Sequence, residues 1–195
     1  THTNQGGVMR KLLALIIIAA LAYSGYWYVG SRTVQNAMES WFEDRRTEGW
    51  VADYSALKTR GYPSRFDTTI RDLELADPDT GVAYSAPFLQ LFALSYQPNH
   101  LIAVWPPQQS FAAPDGKADV TSELMRASLK FKPSTALELD NVNFETEGLV
   151  VTTAEGTTLV GATQVAVRTT PAQVNTYDIY EQSQDVTLPD TIRTW

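Results

Sequence analysis

Residues 123–132 read ELMRASLKFK, and their alternation decides the fold. Met125, Ala127, Leu129 and Phe131 fall on one side of an extended chain; Arg126, Ser128, Lys130 and Lys132 fall on the other. Successive side chains of a strand point to opposite faces, so this run describes a sheet with one apolar and one wetted surface. Residues 136–139 repeat the pattern, with Leu137 and Leu139 set against Glu138.

Outward from that run, residues 50–195 are rich in Thr, Val, Leu and aromatics, in short stretches broken by turn signals. The spacing predicts strands over Val51–Thr59, Arg65–Ala76, Val82–Ser85, Phe88–Gln97, Leu101–Trp105, Asp119–Lys132, Ala136–Glu145, Leu149–Ala154, Thr157–Thr169 and Thr176–Thr187. Gly61-Tyr62-Pro63, Pro78-Asp79-Thr80-Gly81, Gln97-Pro98-Asn99, Pro106-Pro107, Pro114-Asp115-Gly116, Asp140-Asn141 and Glu155-Gly156 separate them. Proline fixes φ, glycine frees it, and Asp and Asn bond to their own backbone, so these are turns with a mechanism. Short turns make neighbouring strands antiparallel. The expectation for residues 49–195 is therefore a mainly β domain, a long antiparallel meander.

An apolar sheet face must be covered by a helix, by a second sheet or by curling on itself. One helix is at hand, over residues 31–48, too short to cover about ten strands. A strongly curved sheet or half-barrel with an apolar groove follows; a closed barrel or a packed sandwich is the other geometry open to it. In that helix Val34, Ala37, Met38, Trp41 and Phe42 form one stripe at helical spacing, and Gly49 marks a stop. The stripe docks on the domain, or else Val34, Met38, Trp41 and Phe42 bind a partner.

Upstream, Leu12–Val29 (LLALIIIAALAYSGYWYV) carries no charge. At about 1.5 Å per residue it spans about 27 Å, close to the hydrocarbon thickness of a bilayer. Tyr23, Tyr26, Trp27 and Tyr28 at its far end suit an outer interface, and Arg10 and Lys11 favour a cytoplasmic amino terminus. Residues 9–30 are read as a signal anchor, after a leader or cloning remnant at 1–8. The predicted location is the inner membrane, single-pass, with the later domain in the periplasm. The alternative is a signal peptide cleaved near Ala22, after Ala20-Leu21-Ala22.

The chain has 195 residues, no cysteine and a formal charge of -7, with all 22 acidic residues after Gly30. Such a surface repels phosphate backbones, which argues against nucleic acid. Without cysteine there is no disulfide framework, thiolate metal site or cysteine nucleophile. The histidines are His2 and His100 alone, too few for a histidine-rich metal site. His100 follows a turn without a nucleophile-elbow motif, and Asp72/Glu74 and Asp77/Asp79 are ordinary strand and turn acids. Residue 88 is Phe where an EF-hand loop starting at Asp77 would need its bidentate acid. No catalytic residue, cofactor or metal is expected.

A hydrophobic segment ending Gly25-Tyr26-Trp27 leads to a helix with Trp41, then Gly49-Trp50, Tyr54 and the Gly61-Tyr62-Pro63-x-Arg65 corner. Next come Leu73-Glu74-Leu75, Ala86-Pro87-Phe88-Leu89 and Tyr96-Gln97-Pro98-Asn99-His100. This order, over about residues 9–145, resembles the family called domain of unknown function 2125, found in Gram-negative bacteria. The resemblance implies a membrane-anchored envelope protein and a longer chain than this one, with truncation at the carboxyl end; it carries over no catalytic or binding residues. The layout is also similar, more loosely, to AsmA-like β-rich envelope proteins, which implies lipid transport.

The functional expectation is a non-enzymatic envelope protein that binds or conducts lipid or acyl chains in an apolar groove. Leu91, Leu94, Leu124, Met125, Leu129, Phe131, Leu137 and Leu139 are the candidate lining residues. The alternative is an anchored scaffold that holds another envelope protein through the 31–48 helix or a free sheet edge.

Overall fold

In the computed structural model, residues 5–132, 138–169 and 177–187 are described. One helix, α1 (Gln5–Thr47), precedes eleven strands that belong to a single antiparallel sheet. The apolar segment and the amphipathic segment are thus one continuous helix of 43 residues, about 64 Å long. Its end matches the sequence expectation. Gly49 adopts φ +92, and the amides of Gly49 and Trp50 donate to the carbonyls of Arg46 and Arg45 at 3.0 Å, closing the last turn.

The strands are β1 (Val51–Asp53), β2 (Ala56–Arg60), β3 (Arg65–Asp77), β4 (Val82–Leu94), β5 (Gln97–Val104), β6 (Gln108–Ala113), β7 (Gly116–Thr121), β8 (Leu124–Phe131), β9 (Leu139–Thr153), β10 (Gly156–Thr169) and β11 (Tyr177–Gln184). Their registers reveal a simpler plan. β1 and β2 lie end to end along β3, and β5 and β6 lie end to end along β4. β7 and β8 do the same along β9. The chain therefore makes eight long passes, each beside the one before it, which is the meander that the turn signals predicted.

The interruptions line up. Ser55, Asp72, Pro87, Pro107, Ser122-Glu123, Gly148, Gly161 and Asp185 sit opposite one another in consecutive passes and drop out of the regular ladder together. Asp72, Gly148 and Asp185 have positive φ, of 49, 58 and 54°. The alternation of faces restarts at this row: Ile70 and Leu73, three residues apart, are both 2% exposed. The register continues unchanged across most of these positions, so the row is a line of missing ladder pairs, a crease across the sheet, rather than a set of inserted residues. Around it β4, β5, β8, β9, β7 and β6 are paired into a ring, the partly closed form of the curved sheet expected from the sequence.

Gln97-Pro98-Asn99 and Asp140-Asn141, expected as turns, lie within β5 and β9; the crease explains other places where the strand boundaries differ from expectation. The Pro87 step does not end a strand, because it falls where the ladder is already broken, so Val82–Leu94 is one strand. Gly148 likewise lies inside β9. Conversely, Asp119–Lys132 divides at Ser122-Glu123, and β6 has too little alternation to have been read as a strand.

The closest packing lies where α1 meets β1–β3. Phe42, Ala52, Leu57, Ile70 and Leu73 form the buried cluster, with Met38, Tyr54, Leu75, Tyr84 and Leu89 packed against it. Lower on the helix, Trp27 stacks on Phe66 at 6.1 Å. A Cβ on Gly30 would stand 2.7 Å from the same ring, so only glycine allows this approach. The opposite sheet face is wet, with the cross-strand pair Arg126–Glu145 and the ion pair Arg65–Asp67 at 2.7 Å.

A Cβ on Gly148 would lie 2.7 Å from Glu123 Cγ, and the backbone there is left-handed. Gly148→Val should therefore destabilise the protein by about 1 to 3 kcal/mol. Urea unfolding of the full chain in detergent measures this; an unchanged midpoint would show that the crease tolerates a side chain.

Candidate functional site

The apolar face of the sheet is wider than α1. Between the two a cavity of about 510 Å³ remains, open along one side. Val34, Ala37, Met38, Trp41 and Phe42 wall it from the helix; Ile70, Leu73, Leu75, Leu89 and Leu91 wall it from β3 and β4. The amphipathic stripe is thus turned toward the chain's own sheet. Phe42 is buried, whereas Trp41 remains 44% exposed at the open side.

The cavity floor continues across the sheet. Pairing places Leu91 beside Ala103, Ala103 beside Ala127, Ala127 beside Phe144 and Phe144 beside Val165, all on one face. Leu129 joins this face beside Leu101 and Val142, and Met125 beside Thr146. Among the expected lining residues, Leu91, Met125 and Leu129 share it. Phe131 and Leu139 pair with each other at the rim, where the register slips by one residue.

Leu94 and Leu124 do not share the face. They lie opposite Arg65 and Glu147, on the polar side of the sheet. The reason is parity: Leu94 is three residues from Leu91, and Leu124 is next to Met125, so a regular strand cannot present either pair to one side. Leu137 lies outside the described residues. Sequence reasoning missed Ile70, Leu73, Leu75 and Leu89. The alternation Phe66, Thr68, Ile70 was a usable signal for the first, and Leu89 shares the parity of Leu91 two residues on; the restart at Asp72 hides Leu73 and Leu75.

Past the crease a polar pocket of the interior is satisfied internally. Tyr84 donates to Gln109 Oε1 at 2.8 Å, and Gln109 Nε2 donates to Met125 Sδ at 3.2 Å. Burial pushes the Tyr84 hydroxyl up to about 12. On the exposed side, Asp77 is held below its usual carboxylate range, chiefly by the Thr80 hydroxyl that donates to it at 2.7 Å. This makes the 77–81 turn a self-bonded corner.

His100 Nε2 lies 2.7 Å from Ser128 Oγ on the wet face. A serine–histidine contact can serve a nucleophile, but catalysis also needs an oxyanion hole. Here both residues lie within paired strands, β5 between β4 and β8, and β8 between β5 and β9. Ser128 is paired on both sides, with Ile102 and Asn143, so ladder bonding engages the amides around it rather than aiming them at a substrate. Among the described residues no group of three His, Asp or Glu side chains could hold a metal ion.

Fold and cavity together define a β-meander protein with an amino-terminal apolar helix of the membrane-anchor or signal type and an open apolar groove beneath its docked half. The chain belongs to the family described as uncharacterized protein conserved in bacteria, DUF2125, whose model matches residues 27–194. No curated protein and no solved structure matches it, so the AsmA-like likeness rests on sequence layout alone.

The tyrosine gives a test of the interior. An unfolded tyrosine ionises near pH 10, whereas folded Tyr84 holds its proton to about 12. Over that window the unfolded state binds fewer protons, so stability falls as pH rises. The stability gap between the native protein and Tyr84→Phe should narrow from about pH 10 to about pH 12 in urea titrations. A constant gap would place the hydroxyl in water.

Proposed function

We propose that this is a membrane-anchored envelope protein, not an enzyme, whose helix–sheet groove takes up the acyl chain of a lipid. The cavity carries this reading: about 510 Å³, ten apolar or aromatic lining residues, and one open side. Small-molecule sites typically enclose about 300 to 1,000 Å³ and are mostly apolar, with a few placed polar groups. This one lacks those polar groups. A polar ligand would lose its hydrogen bonds to water there without replacement, whereas each methylene moved from water contributes about 0.8 kcal/mol.

The helix supports the membrane part of the reading. Leu12, Ile16, Ile18 and Leu21 are each more than half exposed, a surface that lipid would cover. With Arg10 and Lys11 cytoplasmic, the sheet would stand in the periplasm. Cleavage near Ala22 would leave the same groove on a soluble protein. A scaffold role would have to use a sheet edge rather than the stripe of Val34, Met38, Trp41 and Phe42, because that stripe faces the cavity. The edge strand β11, with Ile179 70% and Tyr180 63% exposed, is the place for it.

The full chain purified in mild detergent should carry acyl lipid identifiable by mass spectrometry and should take up a fluorescent fatty acid. Ala37→Trp, which fills the cavity from an exposed helix position, should weaken that uptake about tenfold or more. Apo protein without uptake, or equal uptake by the variant, would refute the groove as the site.

A further inference from the structure

Four consecutive or near-consecutive side chains of α1 are bonded to the turns at one end of the sheet. Tyr23 and Ser95 hydroxyls are 2.8 Å apart, and Tyr26 donates to the Ser95 carbonyl at 2.7 Å. Trp27 Nε1 donates to the Arg65 carbonyl at 2.8 Å, and the Ser24 and Tyr62 hydroxyls are 2.8 Å apart. Trp27 also meets the edge of Tyr62 at 5.4 Å. These bonds fix the height of the sheet along the helix: the turns at 61–64 and 95–96 stand level with residues 23–27.

That height conflicts with a sheet held clear of the membrane. A helix needs about 20 residues to cross the hydrocarbon. Counted outward from the first charges, Arg10 and Lys11, it emerges near Gly30. At about 1.5 Å per residue, positions 23–27 then lie roughly 4 to 10 Å below the outer hydrocarbon boundary. Raising the helix to free the turns would draw Arg10 and Lys11 into the apolar layer instead.

The turns are built for the interface. Neither Gly61–Ser64 nor Ser95-Tyr96 contains a charged residue, and Tyr62 and Tyr96 are 58% and 68% exposed. Several of their backbone groups are bonded within the protein. The Arg65 amide donates to the Gly61 carbonyl and the Ser95 amide to the Ser64 carbonyl, both at 2.9 Å; the Ser95 hydroxyl donates to the Pro63 carbonyl at 3.1 Å. A bonded backbone can enter a water-poor layer, and tyrosine favours the headgroup level.

We propose that the 61–64 and 95–96 turns are seated in the outer interface of the same bilayer that α1 crosses, so that the sheet stands on the membrane rather than above it. The inference rests on the anchor part of the proposed function and not on the groove. The bilayer is the occupant because the helix that enters it is bonded to these turns.

The chain has no cysteine, so single substitutions can carry a nitroxide. Ile16→Cys labels the span, Tyr96→Cys labels one seated turn and Ser64→Cys the other, and Asp79→Cys labels the opposite end of the sheet. The full chain is reconstituted in phosphatidylethanolamine and phosphatidylglycerol vesicles, and collisions with oxygen and with a nickel chelate are measured. The labels at 64 and 96 should collide with nickel several-fold less often than the label at 79, with oxygen preferred. Nickel access at 64 and 96 equal to that at 79, while 16 stays protected, overturns the seating and leaves the anchor standing. Nickel access at 16 as well overturns both. Neither result bears on fatty-acid uptake by the groove.

Discussion

The apolar face of an eight-pass sheet has a single helix to cover it, and the rest of the structure follows from that shortfall. The docked half of α1 is about as long as the passes but only one helix wide, so it can bury the β1–β3 end and nothing beyond β4. Phe42, sealed among Ala52, Leu57, Ile70 and Leu73, is where the cover is complete. Leu89 and Leu91 mark where it stops. Beyond β4 the same face still holds buried side chains, Ala103, Ala127 and Thr146, so the curved sheet shelters part of it instead of leaving a flat exposed plane, which would be an aggregation surface. The groove is therefore a direct result of having more sheet than helix.

The same helix sets how the sheet is oriented. A docked segment alone would fix position across the face but leave the domain free to slide along the helix axis. The hydroxyls of Tyr23, Ser24 and Tyr26 and the indole of Trp27 remove that freedom, since each has a defined partner in the turns at 61–65 and 95. These aromatics were expected to mark an outer membrane interface. In the fold they serve as a clamp, a role that composition does not reveal because both uses call for the same amphipathic rings.

Much of the architecture was legible in the sequence. Period-two runs and turn dipeptides are local signals, and a meander is built from local contacts, so the two agree. The family resemblance drawn from the Gly61-Tyr62-Pro63-x-Arg65 corner and its neighbours also held. What stayed hidden was the crease. Its members, among them Ser55, Asp72, Pro87 and Gly161, share no motif and are aligned only by pairing. The candidate lining set divides accordingly: Leu91 lies at the cavity, Met125 and Leu129 share its sheet face farther along, Leu94 and Leu124 fall on the other face because they break that parity, and Leu73 and Leu75 were missed because the parity resets before them.

The nearest-neighbour order of the passes has a consequence for biogenesis. A protein threaded through a secretion channel emerges residue by residue from the amino end, and a strand whose partner lies far ahead must wait unprotected. Here each newly emerged pass finds its partner already in place, beginning with β1 and β2 beside the docked helix. Loop closure between consecutive passes spans only a few residues of chain, which keeps its entropic cost small. Pairing can thus proceed in chain order, like a zip drawn from the helix end, with each pass added to the edge left by the one before.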